Sequence, residues 1–257
     1  VSDDAEHIAT FNQILRVVVG STAHGTNIPG TSDRDEMGVC VPPRSHVIGL
    51  DTFDQWVHKT AGDGARSGPD DVDATVYSLA KYVRRAAEGN PSVLATLWTP
   101  VQHVVEASAE GGRLLESRDL FVSRQAGRKF LGYLQSQRDK ALGLRGNRTH
   151  RPELVDQFGR DVKFEYHMVR LAYQGVELLT TGGIALPMPE AIRGVLLDIR
   201  QGRRTQEESL AMAAEFEAQL KTLVDCNYIP AVVDRAAVND LLVNLHESFW
   251  RSQGEHW

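Results

Sequence analysis

The spacing of apolar residues changes period part-way along the chain, and that change limits the fold more than any single motif does. Up to about residue 110, short apolar runs alternate with turn residues. "ILRVVVG", residues 14–20, is β-branched and ends in glycine, as a strand does. Residues 34–41 read as a second strand, stopped by Pro42-Pro43 because proline donates nothing to a ladder. "VIGLDTFDQWVHK" reads as a turn and a further strand, and residues 21–32 and 60–71 as loops rich in Gly, Asp, Ser and Thr. "DVDATVY", residues 71–77, alternates: Asp71, Asp73, Thr75 and Tyr77 share one face, and Val72, Ala74 and Val76 the other. Ser78 caps a helix that Gly89 stops, and "NPSVLATLW" reads as a turn and a short helix.

From about residue 122 the period becomes helical. One helix opens at Ser123, and a second carries "DVKFEYHMVRLAYQGVELLTT" to Gly182-Gly183. A third starts with a capping box, Thr205 with Glu208, and a last one runs from about Arg235 to Ser252. The expectation is an α+β protein with two parts, mixed α and β over residues 1–110 and helical over 111–257.

At 257 residues the chain has room for two small domains, and its 42% apolar and 24% charged residues are ordinary for a globular protein. No apolar run approaches the roughly 18–20 residues of a membrane span. The acidic start "VSDDAEHIATFNQ" lacks the basic and apolar regions of a signal peptide. Cys40 and Cys226 fit neither a disulfide framework nor a metal spacing, which points to a reducing, cytoplasmic setting. A net charge of −6 argues against coating nucleic acid by bulk charge.

The chemistry concentrates in "VVVGSTAHGTNIPGTSDRDEMGVCV". On a strand, residues i and i+2 point the same way, so Asp33 and Asp35 project from one face. Two carboxylates that close repel unless a cation lies between them. On its own, Asp-x-Asp is more often a solvated strand face than a metal site. The turn at Gly20-Ser21, separated from Asp33 by 11 residues, shifts the reading. Glycine lets backbone approach a ligand, and backbone N–H groups with a small hydroxyl hold phosphate. A phosphate-holding turn beside a carboxylate pair is what two-metal nucleotidyl transfer requires. A third carboxylate is expected on a neighbouring strand: Asp73 is the candidate and Asp71, on the same face, its competitor.

These residues resemble the glycine-serine, spacer, Asp-x-Asp signature of the DNA polymerase beta nucleotidyltransferase superfamily. Further blocks, "DVDATVYSLAKYVRRAAEGNPSVLATLW", "FVSRQAGRKFLGYLQSQ", "GRDVKFEYHMVRLAYQGVELLTTGGIALP" and "IRQG", are similar to one branch of it. That branch is the predicted nucleotidyltransferases associated with RNA ligases and RNA repair, common in phages. The resemblance covers roughly residues 15–245. It implies a small mixed sheet with flanking helices followed by a helical domain. It implies that Gly20 and Ser21 contact the triphosphate, that Asp33 and Asp35 bind two Mg²⁺ ions, replaceable by Mn²⁺, and that Asp73 helps bind the catalytic one. His24 stands where members often carry an aromatic residue, and Ala95-Thr96 where some carry a carboxylate.

Two basic features stand apart from this constellation. Lys163, His167 and Arg170 fall at i, i+4 and i+7 on one helix face, with Phe164, Met168 and Leu171 on another. Repeated in the family pattern, they are expected to hold the nucleotide's phosphates, with Arg170 offering its fork of donors. Residues 124–151 carry Arg124, Arg128, Lys129, Arg138, Lys140, Arg145, Arg148 and Arg151 against the single acid Asp139, a local charge of +7. That asymmetry is the footprint of a polyanion groove, with Phe130 and Tyr133 available to stack on bases. The expected reaction is transfer of an NMP from an NTP to an acceptor hydroxyl, the acceptor being an RNA 3′ end such as that of a tRNA. Alternatives are a protein hydroxyl as acceptor, or a non-catalytic nucleotide- or RNA-binding module.

Overall fold

The computed structural model describes residues 2–30, 34–60, 68, 71–144, 151–226 and 228–254. They form two compact units: Val1–Ala87 with Ser92–Leu120 and Asp234–Trp257, and Glu88–Pro91 with Phe121–Val233.

The first unit is built on a five-stranded sheet. Its strands are β1 (Gln13–Val18), β2 (Arg34–Cys40), β3 (Gln55–Lys59), β4 (Val72–Ser78) and β5 (Val104–Ala107), in the order β3-β4-β2-β1-β5. β2 and β4 are parallel; every other neighbouring pair is antiparallel. The alternation in β4 is as expected, with Ala74 and Val76 buried and Asp73, Thr75 and Tyr77 half-buried on the opposite face. Helix α1 (Ser2–Phe11) covers the Val76 face: Ile8 and Ala9 pack with Cys40, Phe53 and Val76, and Ala5 and Trp56 close the cluster. Burial in that cluster pushes the Cys40 thiol up to about 12, so it is an inert core residue. The sheet is therefore mixed, as the resemblance implies. The acidic start proves to be helix α1, and β5 is a strand that alternation does not announce.

Between β1 and β2 the chain is not all loop: α2 (Gly20–His24) occupies its start. Two short helices, α3 (Arg44–Val47) and later α5 (Pro91–Thr96), fill connections, and α4 (Leu79–Ala87) follows β4 directly. Ser78 ends β4 and its hydroxyl accepts from the Lys81 N–H, the cap that the sequence indicates. Helix α6 (Ala109–Glu116) lies on the face opposite α1, with Gly111 against the Ile14 carbonyl and the Leu15 Cβ.

The second unit contains α7 (Arg124–Ala141), α8 (Pro152–Phe158), α9 (Val162–Thr181), α10 (Glu190–Arg200) and α11 (Gln206–Asp225). Ser123 caps α7, and Thr205 with Glu208 forms the capping box of α11. Helices α7, α9 and α11 pack together around Phe130, Leu134 and Leu220, all fully buried. Gly127 and Gly175 make this close approach possible: a Cβ at Gly127 would strike Leu179, and one at Gly175 would strike Leu220.

The last helix, α12 (Arg235–Ser252), departs from the expected division at residue 110. It belongs to the sheet unit, packing on α4 and α6. Trp250 Nε1 donates to the Pro42 carbonyl at 3.0 Å, Arg44 lies over the Trp250 ring, and the Ser248 hydroxyl donates to buried Glu110 at 2.7 Å. The apolar face of α12 has a matching partner there.

The close approach at Gly111 sets up a stability test. Gly111→Ala is expected to cost about 1–3 kcal/mol in urea unfolding, because backbone cannot yield as a side-chain tip does. Gly112→Ala, where an added Cβ meets nothing within 4 Å, is expected to be neutral or stabilising by up to about 1 kcal/mol. Equal effects at both positions would contradict this packing.

Candidate active site

Three strand ends converge at one end of the sheet. β1 runs towards it, paired as Val18↔Glu36, while β2 and β4 start from it. One residue beyond β1, the Val19 N–H donates to the Asp35 carbonyl at 2.9 Å. At Gly20 the backbone turns with φ 65°, a conformation that disfavours any side chain. A Cβ at Gly20 would also collide with the Asp35 carboxylate. The glycine thus lets Asp35 lie directly against the turn that leads into Ser21. Buried His24, one helical turn on, has Nδ1 against the Gly20 carbonyl. A carbonyl only accepts, so Nδ1 carries the proton and His24 braces the turn.

Asp35 and Asp73 are register partners on the parallel strands β2 and β4. Paired residues in a ladder point to the same side, and neighbouring strands lie about 4.8 Å apart. The two carboxylates are therefore side by side. Asp71 is engaged elsewhere: it accepts from the Thr60 hydroxyl at 2.7 Å and the Gly68 N–H at 2.8 Å. The Gly68 N–H, helped by Thr60, holds its pKa below the usual carboxylate range. Asp71 staples the segment that enters β4, whereas Asp73 faces Asp35. Asp33 lies outside the described residues, and β2 begins one residue after it.

Two neighbours that the sequence does not announce shape this row. Lys59, last residue of the edge strand β3, is the register partner of Asp73, and its Nζ lies 3.6 Å from Asp73 Oδ2. On the opposite face, buried Glu36 receives Arg16 Nε and, at 2.7 Å, Arg34 Nε. This double clamp fixes the first residues of β2, and with them the backbone that carries Asp35. No sequence signal identifies the Lys59–Asp73 or Arg16–Glu36 pairing, since both depend on the register of distant strands.

The donor set suits a hard divalent cation: carboxylate oxygens on one side of a sheet, with a cationic group already drawn to one of them. Among the described residues no group of three or more His, Cys, Asp or Glu is placed to hold a metal ion. Asp35 forms a pair with Asp73, the expected third carboxylate, and the remaining expected ligand, Asp33, lies outside the described residues.

In the helical unit, the stripe on α9 is not a solvated face. Lys163 and His167 are half-buried and Arg170 is buried. Arg170 Nη1 donates to Gln174 Oε1 at 2.7 Å, and Nη2 lies 3.5 Å from His167 Nδ1. Burial lowers the pKa of the guanidinium, which nonetheless stays charged at neutral pH. Gln174, fully buried, continues the stripe at i+4 from Arg170 and orients it. That spacing is visible in the sequence once the stripe is extended by one turn.

The basic stretch is partly neutralised in place. Arg138 pairs with Glu217 on α11, and Arg151 Nε lies 2.8 Å from Asp161 Oδ2. Lys140 lies over the Phe164 ring. Arg124 is half-buried at the start of α7, where its N–H donates to the Pro230 carbonyl. Arg128 and Lys129 are exposed, and Arg145 and Arg148 lie outside the described residues. Phe130, expected to stack on bases, is completely buried between α7 and its neighbours and cannot do so. Tyr133 is 40% exposed, with its hydroxyl accepting from Asn90 at 3.0 Å. No described helix is long and apolar enough to cross a membrane.

Comparison with known proteins gives three findings. The profile of the RNA repair pathway DNA polymerase beta family matches residues 3–244. An "uncharacterized 38.9 kDa protein in nrdC-mobD intergenic region" of Enterobacteria phage T4 is 27% identical over 137 residues, which span 52% of this chain and 40% of the phage protein. A crystal structure of a nucleotidyltransferase-like protein from Exiguobacterium sibiricum aligns over 97% of this chain and 89% of that one, at 10% identity and a TM-score of 0.31.

The Glu36 clamp can be tested independently of activity. Glu36→Gln is expected to cost about 1–2 kcal/mol by urea denaturation, the lower part of the range for charged hydrogen bonds because both arginines are partly exposed. An unchanged midpoint would show that the clamp carries no stability.

Proposed function

Since the chain belongs to the RNA repair pathway DNA polymerase beta family, we propose that it is a nucleotidyltransferase, which transfers an NMP from an NTP to an acceptor hydroxyl and releases pyrophosphate. The observation that carries this reading is the register of Asp35 with Asp73 beside the turn at Gly20. Asp33, Asp35 and Asp73 would hold Mg²⁺, with Mn²⁺ as a substitute. Bound there, the cation would polarise the α-phosphate and stabilise charge on the leaving pyrophosphate. Gly20 and Ser21 would meet the phosphates through backbone N–H and hydroxyl groups. An Asp73 carboxylate oxygen would accept the proton of the attacking hydroxyl. Lys163, His167 and Arg170 are assigned to phosphate on their chemistry, with Gln174 holding Arg170 in orientation. Asp71, committed to Thr60 and Gly68, takes no part in the reaction.

The proposed acceptor is an RNA 3′ end, with tRNA the first candidate. Exposed Arg128 and Lys129 and the ring of Tyr133 support contact with single-stranded nucleic acid. The ion pairs that occupy Arg138 and Arg151 reduce that footprint and favour, as a second reading, a protein hydroxyl as acceptor. In the cell, the cytoplasm is the proposed setting.

Each α-³²P-labelled NTP, incubated with Mg²⁺ or Mn²⁺ and pooled tRNA, tests the proposal. Label is expected on RNA with the wild type. Substitutions beside a metal typically cost about 10–100-fold, so Asp35→Asn and Asp73→Asn, which alter ligands, are expected to lose on the order of a hundredfold or more. Asp71→Asn is expected to stay within about threefold, since it alters only a turn that Asn also supports. Label on added protein instead of RNA would move the acceptor assignment. Nucleotide binding without transfer to either would replace the enzyme reading by a binding module.

RNA affinity gives a second test. Arg128→Gln with Lys129→Gln removes two cations and is expected to flatten the salt dependence of tRNA binding. The log–log slope should fall by about 0.7 for each single-strand phosphate that is no longer neutralised. An unchanged slope would remove α7 from the RNA-binding surface.

A further inference from the structure

One row of residues crosses the sheet at its active end, and its outermost member takes no part in the proposed reaction. From the edge inwards the row reads Lys59, Asp73, Asp35 and the turn at Gly20. Lys59 is the register partner of Asp73, and Asp73 that of Asp35. Trp56 and His58 alternate to the other face of β3, and Trp56 packs in the cluster under α1. Lys59 is thereby set on the carboxylate side. Its side chain is half-exposed at 52%, while that of Asp73 is 21% exposed, so the ammonium reaches inwards to a carboxylate that is largely covered.

The geometry points to Lys59 as a displaceable counter-ion of the metal site. Its ammonium neutralises Asp73 while no cation is bound, and it must withdraw when Asp73 becomes a ligand. This rests on the reading of Asp35 and Asp73 as metal ligands. Without a positive charge, the two adjacent carboxylates would repel each other at the open end of β2 and β4. An ammonium at 3.6 Å relieves that repulsion. It also competes with any divalent cation for the same oxygen. A flexible four-carbon stem at the end of an edge strand lets the group swing into solvent without disturbing the ladder. Repulsion between the carboxylates is thus eased without metal, at the expense of metal affinity.

Mn²⁺ binding without nucleotide, read from the free-ion signal in electron paramagnetic resonance, tests this directly. Lys59→Met keeps most of the stem and removes the charge. Exposed ion pairs hold their partners by factors of up to about five, so Lys59→Met is expected to bind Mn²⁺ about two- to fivefold more tightly than the wild type. Lys59→Arg is expected to restore the wild-type value. In an Asp73→Asn background, Lys59→Met is expected to change nothing, as a double-mutant cycle requires of a directly coupled pair. Unchanged or weaker binding in Lys59→Met, with binding still abolished by Asp35→Asn, would overturn the counter-ion role and leave the metal site standing. Mn²⁺ binding insensitive to both Asp35→Asn and Asp73→Asn, or no binding by the wild type and Lys59→Met alike, would overturn the metal site and the counter-ion role together.

Discussion

The parallel pairing of β2 with β4 is the interaction on which the catalytic end depends. It runs in continuous register from Arg34↔Val72 to Cys40↔Ser78. Cys40, Val76 and Ala74 bury the α1 face, and Val39 is buried on the other. A slip of one residue would expose that apolar set and turn Asp73 away from Asp35. The buried part of the ladder therefore specifies the position of two groups that repel each other. Strand burial supplies free energy that the carboxylates, left to themselves, would oppose.

Legibility in the sequence follows the range of the interaction. Elements defined by their own neighbours were readable: the β4 alternation, the Ser123 and Thr205 caps, and the Gly182 stop all depend on residues within a few positions. Helix α2 was not, because five residues of Gly, Ser, Thr, Ala and His show no period. Nor was β5, whose four residues are too few to alternate. Helix α12 was legible as a helix but not as part of the sheet unit, since periodicity reveals that a face is apolar and not what covers it. Asp73 was legible as a candidate from its face; its preference over Asp71 required the cross-strand register and the bonds to Thr60 and Gly68. Phe130 sits among basic residues but shares its helix face with Ala126, Gly127 and Leu134. That spacing of three and four marks it as core, and its charged neighbours were a poor guide.

The two units treat charge differently. In the sheet unit, backbone register sets two like charges, Asp35 and Asp73, side by side, with Lys59 beside them and the Arg16–Glu36–Arg34 clamp on the opposite face. In the helical unit, opposite charges find one another: Arg138 with Glu217, Arg151 with Asp161, Arg160 with buried Glu165. An excess that looks large along the sequence is smaller in three dimensions, because acids distant in the chain fold back onto it. What remains on α7 is a narrower strip around Arg128 and Lys129.

The return of α12 to the sheet unit makes that unit discontinuous along the chain. During synthesis, residues 121–233 leave the ribosome before α12 does. The helical unit therefore has its whole sequence available while the sheet unit still lacks the helix that covers α4 and α6. Pro42, Arg44 and Glu110 wait for Trp250 and Ser248, partners more than a hundred residues away. Contacts of such long range form late and slowly. Chain order thus makes the inserted helices available first, and the α12 contacts of the sheet unit only after them.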